Sequence, residues 1–185
     1  MSYDSVTSAL IQSVEVLPPQ RRAAAFWASG QSLLRSLREP ELPPEWALWA
    51  SRAANSGREY VVNGFGGEEC QTLMDWALSA DPVDDASQLF NSMVICVNTP
   101  LIIAIDPEVE AAEWIEQAIF PKLQEVSLRL YEDIAVPDDE GLDEIAEDEE
   151  FRAAVEGLVR LCHDLTEVPS INSDWLLEVS SQLAL

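Results

Sequence analysis

The sequence predicts an all-α fold, and three observations support this prediction. Along most of the 185 residues, apolar residues recur at steps of three and four, the spacing of one face of an α-helix. Proline, glycine and Asx residues divide the chain into about eight such segments. The alternating patterns of β-strands are nearly absent. We therefore predict one helical domain over residues 1–185, a bundle of about eight helices.

Paired prolines organise the N-terminal part of the predicted bundle. A first helix is expected at about 5–16, and the second enters through Pro18 and Pro19 and runs to about residue 38. A third helix begins after Pro43 and Pro44, since proline suits the first helical position. The stretch 55–67 is the least regular. Tyr60, Val61 and Val62 could form a short strand, but no partner strand is evident, so we interpret the stretch as an ordered loop whose glycines make a turn.

The clearest periodicity predicts a long central helix from Pro107 to about Ala135. Asp106 suits its N-cap and Pro107 its first position. Its apolar stripe is made by Val109, Ala112, Ile115, Ile119, Leu123, Val126, Leu130 and Ile134. Pro121 is expected to bend this helix, because the proline ring clashes with the preceding turn.

Shorter helices are predicted on both sides of the central one. Before it, they cover about 68–79 and 84–97, and the second continues past Pro100 as a buried apolar segment. After it, they cover about 147–165 and 173–183. The acidic stretch between the central helix and residue 150 is expected to be exposed, because like charges at high density must be hydrated.

Charge is distributed unevenly along the chain. Residues 1–64 hold six acids and six arginines, whereas the remaining 28 acids face only Lys122, Arg129, Arg152 and Arg160. The formal net charge of −24 therefore belongs to residues 65–185. Such an asymmetry favours a basic protein partner, or the imitation of an anion. A solvated surface that keeps the protein soluble explains part of the charge equally well.

The densest acidic stretch is 132–150, with eleven acids and no base. Within it, the residues most suited to contact a basic partner are Asp138, Asp139, Glu140, Asp143, Glu144, Glu147, Asp148, Glu149 and Glu150. A second candidate contact lies at the start of the predicted central helix, with the four residues Glu108, Glu110, Glu113 and Glu116. We predict that these two sets bind a basic protein.

No metal, cofactor or catalytic residue is predicted. An EF-hand loop aligned on Gly141 would place Val136, which has no ligand oxygen, at its first position. His163 is the only histidine and stands beside Cys162 without a zinc-binding pattern, so we expect a partly buried helix-end side chain. The glycines at 64, 66 and 67 precede two glutamates that would repel a phosphate.

One enzyme alternative remains open. Glu144 and Glu147 form an ExxE pair, and Asp164 and Glu167 form a similar pair further on. Four carboxylates on two helices resemble the magnesium site of all-α nucleotide pyrophosphohydrolases. The second pair reverses the acids of that pattern, and few bases are present to bind a triphosphate.

Composition also indicates where the protein acts. Direct binding of nucleic acid is disfavoured, because the chain has one lysine and phosphate neutralisation requires many bases. The longest apolar run, 93–105, is shorter than the roughly 20 residues that span a bilayer. Three widely spaced cysteines are expected to be reduced and mostly buried. We therefore predict a cytoplasmic protein without a membrane segment.

The segments PPQRRAAAFWASGQSLLRSL and PPEWALWASRAANSGREY, within about residues 17–60, resemble helical immunity proteins of bacterial polymorphic-toxin systems. The resemblance implies a small acidic protein that neutralises a toxin, often a basic nuclease domain. Electrostatic steering would serve that role. A DNA mimic that inhibits a DNA-binding enzyme is the alternative within the class of binding proteins. The sequence specifies neither the partner nor the oligomeric state.

Overall fold

The computed structural model describes residues 2–37, 42–80, 83, 87–131 and 137–185. The described residues form nine α-helices and no strand, which confirms the all-α class. The helices are α1 (Tyr3–Glu15), α2 (Pro19–Ser36), α3 (Pro44–Asn63), α4 (Glu68–Ser79), α5 (Gln88–Ile105), α6 (Glu116–Tyr131), α7 (Asp139–Glu147), α8 (Glu149–Glu167) and α9 (Ser173–Gln182). A 3-10 turn covers Ala112–Ile115.

Helices α2 and α5 form the centre of the fold and make its most extensive helix contact. The alanines of α2 at 23, 24, 25 and 28 are completely buried, and small side chains let the two helix axes approach. At the crossing, a Cβ on Gly30 would lie 2.9 Å from Val97 Cγ2 and 3.1 Å from the Val97 nitrogen. The sequence therefore needs glycine at position 30 for steric reasons.

An aromatic cluster joins α3, α4 and α5. The ring of Trp46 contacts Trp49, Trp76 and Phe90 edge to face, with centroid separations of 5.0 to 5.3 Å. Trp49 donates its indole N–H to the carbonyl of Leu73 at 2.9 Å. Buried indoles usually find such a partner. Trp46 and Trp49 are thus core residues at this end of the bundle, and the partly buried Trp76 packs against them.

Arginines of α2 tie the N-terminal third to the acidic remainder. Arg21 donates to the carbonyls of Leu165 and Val168 at the C-terminus of α8. Arg35 donates in the same way to the carbonyl of Ser180 in the last turn of α9. Cations are favourable at helix C-termini because the last carbonyls lack intrahelical partners. Buried side chains from all nine helices form one contiguous hydrophobic cluster.

The prediction of one long helix from Pro107 is wrong. Helix α5 ends at Ile105, and residues 106–111 form a turn in which Asp106 Oδ1 accepts the backbone N–H of Glu108 at 3.2 Å. Arg22 donates to the Val109 carbonyl at 3.1 Å, which occupies an acceptor that a continuous helix would use. Helix α6 thus begins only at Glu116 and contains Pro121, and the predicted bend remains a prediction. Predicted helix residues 132–135 lie outside the described ranges.

Most of the stretch predicted as an irregular loop is helical, and the segment around Pro100 continues the helix before it. Helix α3 continues to Asn63 and ends at Gly64, whose φ of 76° is left-handed, so the predicted loop shrinks to 64–67. Helix α5 runs through Pro100 without interruption. Its 18 residues are long and apolar enough to cross a membrane, but half of them are buried inside the fold, and soluble core helices have the same composition.

The prediction of about eight helices did not include α7, which lies within the acidic stretch. Gly141, Ile145 and Ala146 form its buried face. The apolar residues of this short segment are few, but they recur on one side of a helix. The acidic stretch from 138 onward is therefore packed against the bundle through α7.

Candidate partner-binding surface

Helix α7 holds its carboxylates outward because both of its ends are capped and its inner face is buried. Asp138 is the N-cap and accepts the backbone N–H of Gly141 at 3.2 Å. A Cβ on Gly141 would lie 2.5 Å from Pro137 Cβ, so the backbone approaches closely there. The exposed acids of α7 are Asp139, Glu140, Asp143, Glu144 and Glu147. The helix presents them on a fixed scaffold.

Asp148 forms the corner between α7 and α8. It ends α7 and caps α8, accepting the backbone N–H groups of Glu150 at 2.9 Å and Phe151 at 3.3 Å. Arg129 lies 2.8 Å from its other carboxylate oxygen and 3.6 Å from Glu150. This contact neutralises part of the local charge. We call residues 138–150 the α7–α8 corner.

Two contacts from other helices fix the middle of this corner. The backbone N–H of Tyr3 donates to Asp143 Oδ1 at 2.8 Å, which links α1 to α7. The Tyr131 hydroxyl donates to Glu144. That hydrogen bond is the main cause of a rise in the pKa of Tyr131 to about 12, with smaller contributions from burial and nearby carboxylates. Asp143 and Glu144 therefore have structural roles besides their charge.

The second predicted set lies in and beside a groove of about 510 Å³ between α1, the start of α2 and the turn 106–111. The groove is lined by four carboxylates, those of Glu15, Glu108, Glu110 and Glu113. Arg22 at its side donates to the carbonyls of Val109, Glu15 and Leu17 at 3.1 to 3.4 Å. Four carboxylates and one guanidinium leave the groove negatively charged. We call it the acidic groove.

One residue of the second predicted set, Glu116, lies near the first turn of α1, which also contacts the α7–α8 corner. Tyr3 contacts Asp143 through its backbone, and its pKa is raised to about 12, mainly by burial and then by the charges of Glu116 and Asp4. The pKa of Glu116 is also raised, first by burial and then by Glu113 and Asp4. Such couplings require proximity. The acidic groove itself lies at the other end of α1, beside Ile11 and Glu15, and Glu113 lines it, so Glu113 and Glu116 link the groove to the α7–α8 corner. We call the corner, Glu116 and the groove together the anionic face.

The carboxylate pairs of the enzyme alternative are not brought together. Glu147 ends α7, just before the N-terminus of α8, whereas Asp164 and Glu167 lie in the last turns of α8. At about 1.5 Å per residue, the helix separates Glu149 from Asp164 by about 22 Å. No group of three or more His, Cys, Asp or Glu side chains within the described ranges is arranged to hold a metal ion.

Other sequence motifs have ordinary structural explanations. The aligned EF-hand segment is largely helix α7, so its residues do not form a twelve-residue calcium loop. Gly64, Gly66 and Gly67 form the short connection between α3 and α4, as predicted. The prediction of a partly buried His163 is wrong, since its side chain is 72% exposed on the outer side of α8.

The cysteines are free and buried, as predicted. Burial raises the pKa of Cys96 and of Cys162 to about 12. A thiol with such a pKa stays protonated at neutral pH, and the thiolate is the reactive form. The described geometry therefore offers these two cysteines no activation as nucleophiles.

Sequence patterns alone did not reveal the contact between α1 and the α7–α8 corner. The connecting residue, Tyr3, lies 140 positions from Asp143, and its bond uses a backbone N–H that every non-proline residue carries.

No protein-family model, curated protein or solved structure matches this chain.

Proposed function

We propose that this chain is a cytoplasmic acidic binding protein that neutralises a basic toxin or nuclease domain by covering its active surface. The observation that carries the proposal is the anionic face, where Glu116 of one acidic set lies near the first turn of α1 and Asp143 of the other set is hydrogen-bonded to that turn. Most carboxylates of this face are exposed, and the helices that present them are capped and packed.

Preorganisation supports the proposal. A disordered acidic tail would lose conformational entropy when it bound, which lowers affinity for a given contact area. Helix α7 is instead held by Asp138, Ile145 and the Tyr3–Asp143 bond before any partner arrives. A basic partner would therefore meet carboxylates whose positions are already determined.

The net charge of −24 acts at longer range. Opposite charges steer two proteins together and raise the association rate, and salt screens this effect over about 10 Å at 0.1 M. Rim charges mainly determine association, whereas buried apolar contacts determine dissociation. An inhibitor that must capture a toxin before damage occurs benefits from fast association.

The first experiment co-expresses this chain with the product of the gene adjacent to its own. We expect the two proteins to copurify and this chain to protect cells from the neighbour's toxicity. Duplex DNA added to the complex provides the comparison with a DNA mimic, because a mimic and DNA compete for one site. Failure of both copurification and protection would contradict the proposal.

The second experiment measures association with that partner by stopped flow. The test variant neutralises exposed acids of the corner, with the substitutions Asp139→Asn, Glu140→Gln and Glu149→Gln. We leave Asp138, Asp143 and Glu144 unchanged, because their hydrogen bonds stabilise the fold. Association should slow several-fold at low salt, and its salt dependence should flatten.

A matched control removes the same charge elsewhere. Glu45→Gln, Glu59→Gln and Glu178→Gln neutralise three exposed acids on α3 and α9. Asp139, Glu140 and Glu149 lie in the first turns of their helices, as Glu45 does, whereas Glu59 and Glu178 do not, so thermal denaturation first checks that both variants stay folded. Equal slowing in both variants would mean that net charge alone acts, and the α7–α8 corner would not be the contact.

A further inference from the structure

An apolar cleft lies directly beside the acidic groove. It has a volume of about 330 Å³ and is formed by α5, the 3-10 turn and the start of α6. Its apolar walls are Ile95 and Ile102 of α5 and the half-buried Trp114. Ile95, Asn98, Thr99 and Ile102 follow helical spacing and therefore share one face of α5.

Glu113 lines both depressions, so the cleft and the acidic groove form one surface. On one side of Glu113 the surface is apolar, and on the other it carries Glu15, Glu108 and Glu110. Half-buried tryptophan beside charged residues is typical of interface hot spots, which combine an apolar anchor with a polar rim.

Several residues of this surface are unfavourable for the stability of the free protein. Glu15 is the last residue of α1, where the helix dipole disfavours a carboxylate. Glu108, Glu110 and Glu113 add like charges around the same groove. In the cleft, Asn98 Oδ1 is buried and has no hydrogen-bond partner among the described residues. An orphaned buried acceptor destabilises the folded state. A bound partner that supplies cations would compensate the charges.

We propose that this surface binds a segment of the basic partner that inserts one apolar side chain into the cleft and places flanking Lys or Arg side chains in the acidic groove. The inference rests on the proposed function and names the part of the partner that is recognised. The α7–α8 corner steers the encounter, and the cleft around Trp114 anchors the complex.

Charge favours a basic segment over two other occupants of this surface, a second copy of the chain and an anionic membrane. A second copy of the chain would bring another −24 charges against the acidic groove. Anionic lipid headgroups would be repelled for the same reason. A segment with both apolar and cationic side chains complements the two halves of the surface at once.

The test uses two short fluorescein-labelled peptides rich in Lys and Arg, which differ only in a central Leu or Ala. Binding to the full chain is measured by fluorescence anisotropy and, separately, by tryptophan emission. Wild type should bind the Leu peptide about tenfold more tightly than the Ala peptide, because burying a larger aliphatic side chain is worth that factor. The Leu peptide should also change the emission of Trp114.

Three variants assign the contacts. Glu108→Gln with Glu110→Gln should weaken both peptides about fivefold at low salt. Ile102→Ala should remove most of the preference for Leu, with thermal denaturation confirming that the variant folds. Trp114→Phe should abolish the emission change while anisotropy still reports binding. The control, Asp139→Asn with Glu140→Gln, should leave the preference for Leu unchanged.

The outcomes separate this inference from the proposed function. Equal affinity for the two peptides, or no peptide binding, would overturn the inference. Loss of peptide binding in the corner variant but not in the groove variant would do the same. In each case, copurification with the adjacent gene product tests the proposed function independently. If the partner copurifies and protects cells, but Ile102→Ala does not change its rate of dissociation, the proposed function stands. The role of the cleft as the anchor of the complex is then refuted.

Discussion

Replacing Asp148 with alanine should destabilise the fold more than replacing its exposed neighbour Glu149. One oxygen of Asp148 accepts two backbone N–H groups at the start of α8, and the other lies 2.8 Å from Arg129. The side chain of Asp148 is only 17% exposed. Without it, the first N–H groups of α8 lose their partner at the corner where α7 ends.

The expected loss of stability follows from these two contacts of Asp148. Loss of an N-cap costs about 1 kcal/mol. The ion pair with the half-exposed Arg129 adds about 0.5 kcal/mol, since solvent screens it. For a domain of this size, about 1 kcal/mol shifts Tm by roughly 2–4 °C, so a Tm decrease of roughly 3–6 °C is expected. Removing one charge from a chain at −24 relieves some repulsion and favours the lower end of that range.

Urea and thermal denaturation followed by far-UV circular dichroism provide the measurement. Asp148→Asn separates the two contributions, because asparagine caps a helix as well as aspartate but carries no charge. It should cost only about 0.5 kcal/mol. Glu149→Gln removes one negative charge from the adjacent residue and should have the smallest effect on stability. If Asp148→Asn destabilises as much as Asp148→Ala, the cap is not the main contribution and the reasoning is wrong.

Three further predictions concern the core and the buried titratable groups. Gly30→Ala should cost about 1–3 kcal/mol in urea denaturation, since the added methyl would overlap Val97, and a neutral result would refute the close approach of α2 and α5. Folding raises the pKa of Glu116, so its contribution to stability is present below its ordinary pKa of 4.5 and is lost as pH rises through the folded value. Glu116→Gln should therefore remove part of the decrease in stability between acid and neutral pH, and an unchanged pH profile would contradict this. Cys96 and Cys162 should react with a thiol reagent at mildly alkaline pH only after urea unfolds the protein, whereas fast labelling of the native state would contradict their burial.

Local sequence signals located most helix starts. Pro19 and Pro44 occupy the first turns of α2 and α3, as predicted, because proline has no N–H to lose there. Trp46, Trp49, Ala50 and Ala53 recur at helical spacing in the sequence and are buried on one face of α3. Interactions within one or two turns decide such features, and those residues are adjacent in the sequence.

Local sequence patterns predicted the wrong helix boundary where a residue distant in the chain binds a backbone group that a helix would use. Asp106 and Pro107 suit a helix N-terminus, yet Asp106 forms a turn with Glu108 and Arg22 takes the carbonyl of Val109. Arg22 lies 87 residues away, so no local pattern contains this contact. The loop expected before Gly64 is helical for the converse reason, since Tyr60 and Val61 bury their side chains in the core.

By itself, the sequence determined the all-α class, the entry points of α2 and α3, the excess of negative charge and the two sets of acids that carry much of it. Periodicity, caps and charge are properties of neighbouring residues, so they can be read without a fold. Only the tertiary structure decided that α7 packs as a helix, that the first turn of α1 contacts Asp143 and lies near Glu116, and that Trp114 lines an apolar cleft beside the acidic groove. These features depend on contacts between residues far apart in the chain, whose energies appear only once the helices have packed.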